Sequence, residues 1–191
     1  MRQCAMTRTF PGIGHNSGQD FDGYTGRLHQ WRKARRALIP NTIPVEVVRT
    51  RLRRAAAIGL DYGTYASIRA GTGRDIAALL FSSNALGMIR QAEMDATKSA
   101  KLARVAADRG VLVHRPWVAA AIPPLDFAAE APLFTESWSD MRARLRTVLR
   151  DRNVPADAVL LVGDTAFEAS WCAALRAGGY LTSDRYFGAA P

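Results

Sequence analysis

The chain has 191 residues, 48% of them apolar and 23% charged, with 26 Lys+Arg against 17 Asp+Glu and a formal net charge of +9; that is enough for a packed core in one medium domain or two small ones. Two cysteines far apart in sequence, Cys4 and Cys172, exclude a disulfide framework and a thiolate zinc site. Residues 76–89, the longest uncharged apolar stretch, are too few and, with Ser82, Ser83 and Asn84, too polar to span a bilayer, and residues 1–10 lack the apolar run of a signal peptide, so the expectation is a cytoplasmic protein with no membrane partner.

The charge is lopsided. Residues 1–75 hold 13 Lys/Arg against 5 Asp/Glu, a net of +8, and residues 76–191 hold 13 against 12, a net of +1. A basic surface confined to one region marks where a polyanion docks. Only Lys33, Lys98 and Lys101 are lysines; the other 23 basic residues are arginines, the side chain suited to bidentate phosphate contacts.

In chain order, residues 1–23 are rich in Gly, Asn, Ser, Asp and Thr and read as a flexible arm. Leu28, Trp31, Arg35 and Leu38 share one face of a helix over residues 23–39, which Pro40 stops. Pro44 starts the next helix, with Val45, Val48, Leu52 and Ala55 or Ala56 at helical spacing and Arg49, Arg51, Arg53 and Arg54 flanking that stripe. Gly59 ends it, Asp61 caps a shorter helix over 62–70, and Gly71-Thr72-Gly73 breaks that one. Residues 74–90 are either a third helix or a strand followed by a turn, and length favours the helix.

Residues 94–109 read as helix, 111–114 as a short strand, and 115–132, with Pro116, Pro123, Pro124 and Pro132, as a surface connector. Residues 138–152 form an amphipathic helix with Trp138, Met141, Leu145, Val148 and Leu149 on one face. Residues 159–162 are a buried strand, 165–177 a helix closed by Gly178 and Gly179, and 180–182 a last strand. The expected fold class is a mainly α N-terminal half with a helix-turn-helix-like unit, plus a small α/β C-terminal part. The expected division is an arm over 1–23, a basic helical region over 24–90 and a small α/β or α-rich region over 91–191.

Three segments carry chemistry. In residues 51–70, RLRRAAAIGLDYGTYASIRA, Ala55 is the small residue where two helices cross, Gly59 takes the turn, and Ile58, Leu60, Tyr65 and Ile68 face inward. This stretch resembles the bacterial helix-turn-helix family. The resemblance implies that Tyr62, Gly63, Ala66, Ser67 and Arg69 face a major groove, and that Arg49, Arg53, Arg54 and Arg74 meet phosphates, with Arg51 in the same group. Of the outward set only Arg69 is a strong reader of base edges.

Residues 12–18, GIGHNSG, resemble a segment near the N-termini of phage-like and plasmid-like bacterial proteins. Three glycines with Asn and Ser suit a backbone anion nest or a docking motif for a protein partner. Residues 159–168, VLLVGDTAFE, resemble the last motif of haloacid dehalogenase-like hydrolases, which implies a strand, an acidic turn and Mg²⁺. Leu79–Asn84 is similar to that family's second motif, and Lys98 or Lys101 to its third. The D-x-D nucleophile pair expected after the first strand is missing. Thr165 and Glu168 also spell a T-x-x-E capping box, which accounts for the turn without a metal. His114, following a strand, reads as a polar site or a structural residue.

The sequence therefore points to a non-catalytic nucleic-acid-binding protein, DNA favoured, with regulation as one role, no cofactor and no metal site. The expected nucleic-acid-binding residues are Arg49, Arg51, Arg53, Arg54, Tyr62, Ser67, Arg69 and Arg74. The alternatives are a haloacid dehalogenase-like hydrolase or a degenerate relative, and an adaptor that sets its basic face against an acidic protein.

Overall fold

In the computed structural model the chain divides into two units, residues 1–44 and 45–191. The structure describes residues 43–88 and 94–188, together with Lys33. The expected arm, the GIGHNSG segment and the 23–39 helix apart from helical Lys33 lie outside the described residues. The second unit is an α/β domain whose sheet spans the division expected near residue 90.

Helix α1 (Val45–Ala57) and helix α2 (Tyr62–Thr72) are joined by a tight turn at Gly59, whose φ of 72° is the left-handed region expected there. A side chain at Gly59 would meet the Tyr186 hydroxyl at 3.2 Å and Lys101 Cε at 3.3 Å. Asp61 caps α2 by accepting the Thr64 N–H at 2.8 Å, and that bond holds its carboxyl below the usual carboxylate range. Gly73, with φ 73°, closes the helix, which runs two residues past its expected end at residue 70.

Residues 74–88 are not a helix, and residues 89 and 90 of that expected element lie outside the described residues. Strand β1 (Ala78–Ser82) is buried along its whole length, and a turn follows it. Helix α3 (Ala96–Leu102) leads to β2 (Asp108–Val113), and β3 (Phe127–Glu130) emerges from the expected connector. Helix α4 (Trp138–Asp151), β4 (Val159–Gly163), helix α5 (Ala166–Leu175), β5 (Gly179–Thr182) and the short helix α6 (Ser183–Gly188) complete the unit. Arg176, with φ 58°, ends α5 in the left-handed conformation, rather than the glycines that follow it.

The five strands are parallel in the order β3-β2-β1-β4-β5. Both faces are covered, which explains why β1 and β4 read as continuous apolar runs rather than alternating ones. Leu79, Phe81, Val111, Val113, Leu160, Val162 and Leu181 pack with Ala55, Ile58, Tyr65, Leu102 and Tyr186, so α1, α2, α3 and α6 cover one face. Ala78, Leu80, Leu112, Val159 and Leu161 pack with Met141, Leu145, Leu149, Trp171 and Leu175, so α4 and α5 cover the other. Each fully buried Leu or Phe contributes about 1.5–3 kcal/mol. On α4 the buried stripe is narrower than expected, because Trp138 is 48% exposed. At Gly110 a Cβ would lie 2.1 Å from the Phe127 ring, so that aromatic on the next strand requires a glycine. Among the described residues no helix is long and apolar enough to cross a membrane.

Candidate functional site

The arginines expected to meet phosphates fall into two groups. Arg54 turns inward from α1: its Nε pairs with Asp75 at 3.1 Å, and its two Nη atoms donate to the Ala106 and Ile76 carbonyls, both at 2.8 Å. It clamps α1 to the start of β1 and the approach to β2. Arg69 donates to the Tyr65 hydroxyl at 3.1 Å and lies 3.7 Å from Asp75. Arg74 pairs with Asp157 at 2.8 Å. Arg49 pairs only with Glu46, at 2.6 Å, with both side chains more than half exposed. Arg53 is exposed and makes no hydrogen bond or ion pair within the described residues. On α2, Ser67 is exposed and Tyr62 half-buried. The structure thus places Arg49, Arg51 and Arg53 on one helix with no internal tie of the kind that holds Arg54.

Between α1, α2 and Asp75 lies a groove of about 450 Å³ lined by Glu46, Val47, Thr50, Arg51, Arg54, Tyr65, Arg69 and Asp75. Residues 46, 47, 50, 51 and 54 form one stripe of α1, as their helical spacing requires. Asp75 is fully engaged, since it accepts from Tyr65 Oη at 2.8 Å and from the Ile76 N–H at 2.9 Å besides pairing with the two arginines. Arg51 Nε is buried in this wall without an acceptor.

A second polar cluster sits at the carboxyl ends of the strands. The chain runs outward through β1, β2 and β3, then crosses back to β4 and β5, so β1 and β4 flank the topological switch point at which α/β sheets bind ligands. Ser83 and Asn84 follow β1, His114 follows β2, and Asp164, Thr165 and Glu168 follow β4. Glu168 is 0% exposed. Its Oε2 accepts the Asp164 and Thr165 N–H groups at 2.6 and 2.9 Å, and its Oε1 accepts Asn84 Nδ2 at 2.9 Å and faces His114 Nε2 at 3.5 Å. The expected capping box is complete, with the Glu168 N–H donating to Thr165 Oγ1 at 3.2 Å. The helix N-terminus that would hold a phosphate is therefore filled by the protein's own carboxylate.

His114 Nδ1 lies 2.8 Å from Ser83 Oγ, and the same oxygen accepts the His114 backbone N–H at 3.2 Å. Assigning the hydroxyl proton to Nδ1 leaves the neutral ring protonated at Nε2, toward Glu168. Burial pushes this imidazole below its ordinary value of 6.5, while the Glu168 carboxylate acts in the opposite direction. Hydroxyl, imidazole and acid stand in the order of a nucleophilic triad. Ser83 is only 1% exposed, however, so the three act as a buried link between β1, β2 and α5. Nearby, Lys98 Nζ donates to the Ala85 carbonyl at 2.7 Å and to Ser183 Oγ at 3.2 Å, and the Ser183 N–H donates to Asp164 at 3.0 Å. Lys101 Nζ donates to the Tyr186 carbonyl. Burial, with Glu168 and Asp164 nearby, pushes the Tyr180 hydroxyl up to about 12. Among the described residues no group of three or more His, Cys, Asp or Glu side chains is placed to hold a metal ion.

The Leu79–Asn84 segment carries β1, the central strand of the sheet and the first among the described residues, and ends in Ser82-Ser83-Asn84. Sequence reading missed the Ser83–His114–Asn84–Glu168 association. Only the T-x-x-E spacing and the position of His114 after a strand signalled any part of it. No family model, no curated protein and no solved structure matches the chain.

Proposed function

We propose that the chain is a non-catalytic nucleic-acid-binding protein, with DNA the favoured ligand, and that α1 is its contact element. One observation carries this reading: Arg49 and Arg53 are exposed, four residues apart and therefore on one face, and neither is tied into the fold as Arg54 is. Such side chains give phosphate affinity without sequence information. Tyr62, Ser67 and Arg69 would supply base contacts, although Arg69 is partly engaged by Tyr65 and Asp75. The test is a duplex titration at several salt concentrations. The wild type binds with a steep salt dependence, and an Arg49→Ala/Arg53→Ala double variant loses most low-salt binding while keeping its melting temperature. A wild type with no salt-dependent duplex binding would sink the reading.

A second reading, a degenerate relative of the dehalogenase-like hydrolases, is favoured by the position of the Gly163-Asp164 turn. It follows the strand directly beside central β1, and Ser183 lies between Asp164 and Lys98. Without an aspartate after β1, phosphoaspartate formation has no nucleophile. Turnover of a generic phosphate ester that Asp164→Ala abolishes would favour this reading over the first.

A further inference from the structure

We propose that the groove between α1, α2 and Asp75 is an oxyanion site for a nucleic-acid phosphodiester, with Arg51 its principal ligand and Arg69 its second donor. The inference rests on the nucleic-acid reading above and goes further by naming where a phosphate sits.

Charge in the groove is unmatched. Three guanidinium groups, Arg51, Arg54 and Arg69, line the groove with two carboxylates, Glu46 and Asp75. Glu46 is held by Arg49 at 2.6 Å. Asp75 is shared among Arg54, Arg69, the Tyr65 hydroxyl and the Ile76 N–H. Neither carboxylate is left for Arg51, which forms no ion pair within the described residues. Its Nε–H is buried with no acceptor, so an oxygen in the groove meets the guanidinium through its Nη groups. Arg69 contacts Asp75 only at 3.7 Å, so its guanidinium keeps donor capacity toward the groove.

The groove, at about 450 Å³, admits a phosphate with its flanking sugar. Val47 and the Tyr65 ring supply apolar wall, in which a charge-assisted bond is stronger than in water. At 100° per residue, Arg51 lies about 160° around α1 from both Arg49 and Arg53, so the groove is a site separate from that exposed face. Arg54 keeps its clamp, in which each of its three nitrogens donates to the fold, and serves the groove as a fixed positive charge.

The test uses the full chain with two probes: a labelled duplex titrated at several salt concentrations, and inorganic phosphate read as a melting shift against chloride at equal ionic strength. Arg51→Gln should lower low-salt duplex affinity about tenfold and reduce the slope of log K against log salt by ~0.9. It should also abolish the phosphate-specific shift. Arg51→Lys should keep the slope and restore part of the affinity, since it replaces a fork by a point charge. Val47→Glu, at a 38% exposed position, places a carboxylate in the groove and should reproduce the loss without removing the arginine. Duplex binding with wild-type affinity and slope in Arg51→Gln and Val47→Glu overturns the groove site and leaves the nucleic-acid reading standing. A phosphate shift lost in Arg51→Gln, with no duplex binding by the wild type, keeps the oxyanion site and overturns its assignment to nucleic acid. A wild type that responds to neither probe overturns both.

Discussion

Glu168→Ala removes a side chain whose carboxylate accepts three N–H groups. Two are the backbone donors of Asp164 and Thr165, at 2.6 and 2.9 Å, and the third is the Asn84 amide at 2.9 Å. The side chain is 0% exposed, so in the variant these donors lose their acceptor where water has poor access. A buried donor left unpaired costs about 1–3 kcal/mol. Asp164 and Thr165 are exposed and regain part of their hydration, which puts each of the three near the lower end and the total at about 3 kcal/mol. For a chain of this size that is a fall of about 6–12 °C in melting temperature. Thr165→Ala breaks one arm of the same capping box and should cost only about 1 kcal/mol. Glu168→Gln keeps the shape but presents an amide N–H to groups that are themselves donors, so it falls between the two. Chemical denaturation followed by circular dichroism measures all three. If Glu168→Ala loses no more than Thr165→Ala, the carboxylate is not the hub that joins β1 to α5.

Three further outcomes follow from named contacts. Because the His114 imidazole is held below 6.5, the unfolded chain takes up this proton first as pH falls, so His114 contributes stability that is present above the unfolded value and lost as pH drops through the folded one. Denaturation midpoints between about pH 5 and 7.5 should decline toward acid in the wild type and decline less in His114→Gln; identical profiles would count against the buried-imidazole account. Gly163→Ala puts a Cβ 2.9 Å from Glu168 Cβ and Oε2 and 3.1 Å from the Tyr180 ring, and should cost about 1–3 kcal/mol by urea unfolding, a near-neutral result showing that the turn can relax. Arg54→Ala should lose about 2 kcal/mol, since it leaves the Ala106 and Ile76 carbonyls and Asp75 short of a donor, whereas Arg53→Ala should stay within about 0.5 kcal/mol and weaken duplex binding instead.

What could be read along the chain was local. The Gly59 turn, the Asp61 cap and the Thr165–Glu168 capping box are each set by residues within a few positions, and each stands as spacing suggested, while α2 runs on to Thr72 before Gly73 closes it. The strand at 78–82 was ambiguous for a physical reason: a central parallel strand is apolar on both faces, and its Leu-Leu-Phe run has no period to separate it from a buried helix. Strand β3, Phe-Ala-Ala-Glu, has weak strand propensity and follows a proline-rich stretch, so only its pairing with β2 makes it a strand. The candidate site was less legible still. Ser83 and His114 lie 31 positions apart, and Asn84 and Glu168 84 apart, brought together because β2 and β4 both neighbour β1.

Position on a helix surface did not distinguish arginines that bind from arginines that build. Arg53 and Arg54 are consecutive, both polar, and equivalent in any count of charge, yet one faces solvent and the other donates to two backbone carbonyls and a carboxylate. The difference lies in what is within reach. Arg54 faces the ends of segments leading into β1 and β2, where carbonyls outside the ladder need donors, and a guanidinium has enough N–H groups to serve several at once. Such an arginine stabilises the domain but offers little to a polyanion. Arg54 is of this kind, and Arg74 answers to Asp157, so part of the formal surplus of residues 1–75 is engaged within the described fold. The affinity of the chain for a polyanion should therefore follow Arg49, Arg51, Arg53 and Arg69 rather than the net charge. A variant that removes Arg54 should lose stability well before it loses salt-dependent binding.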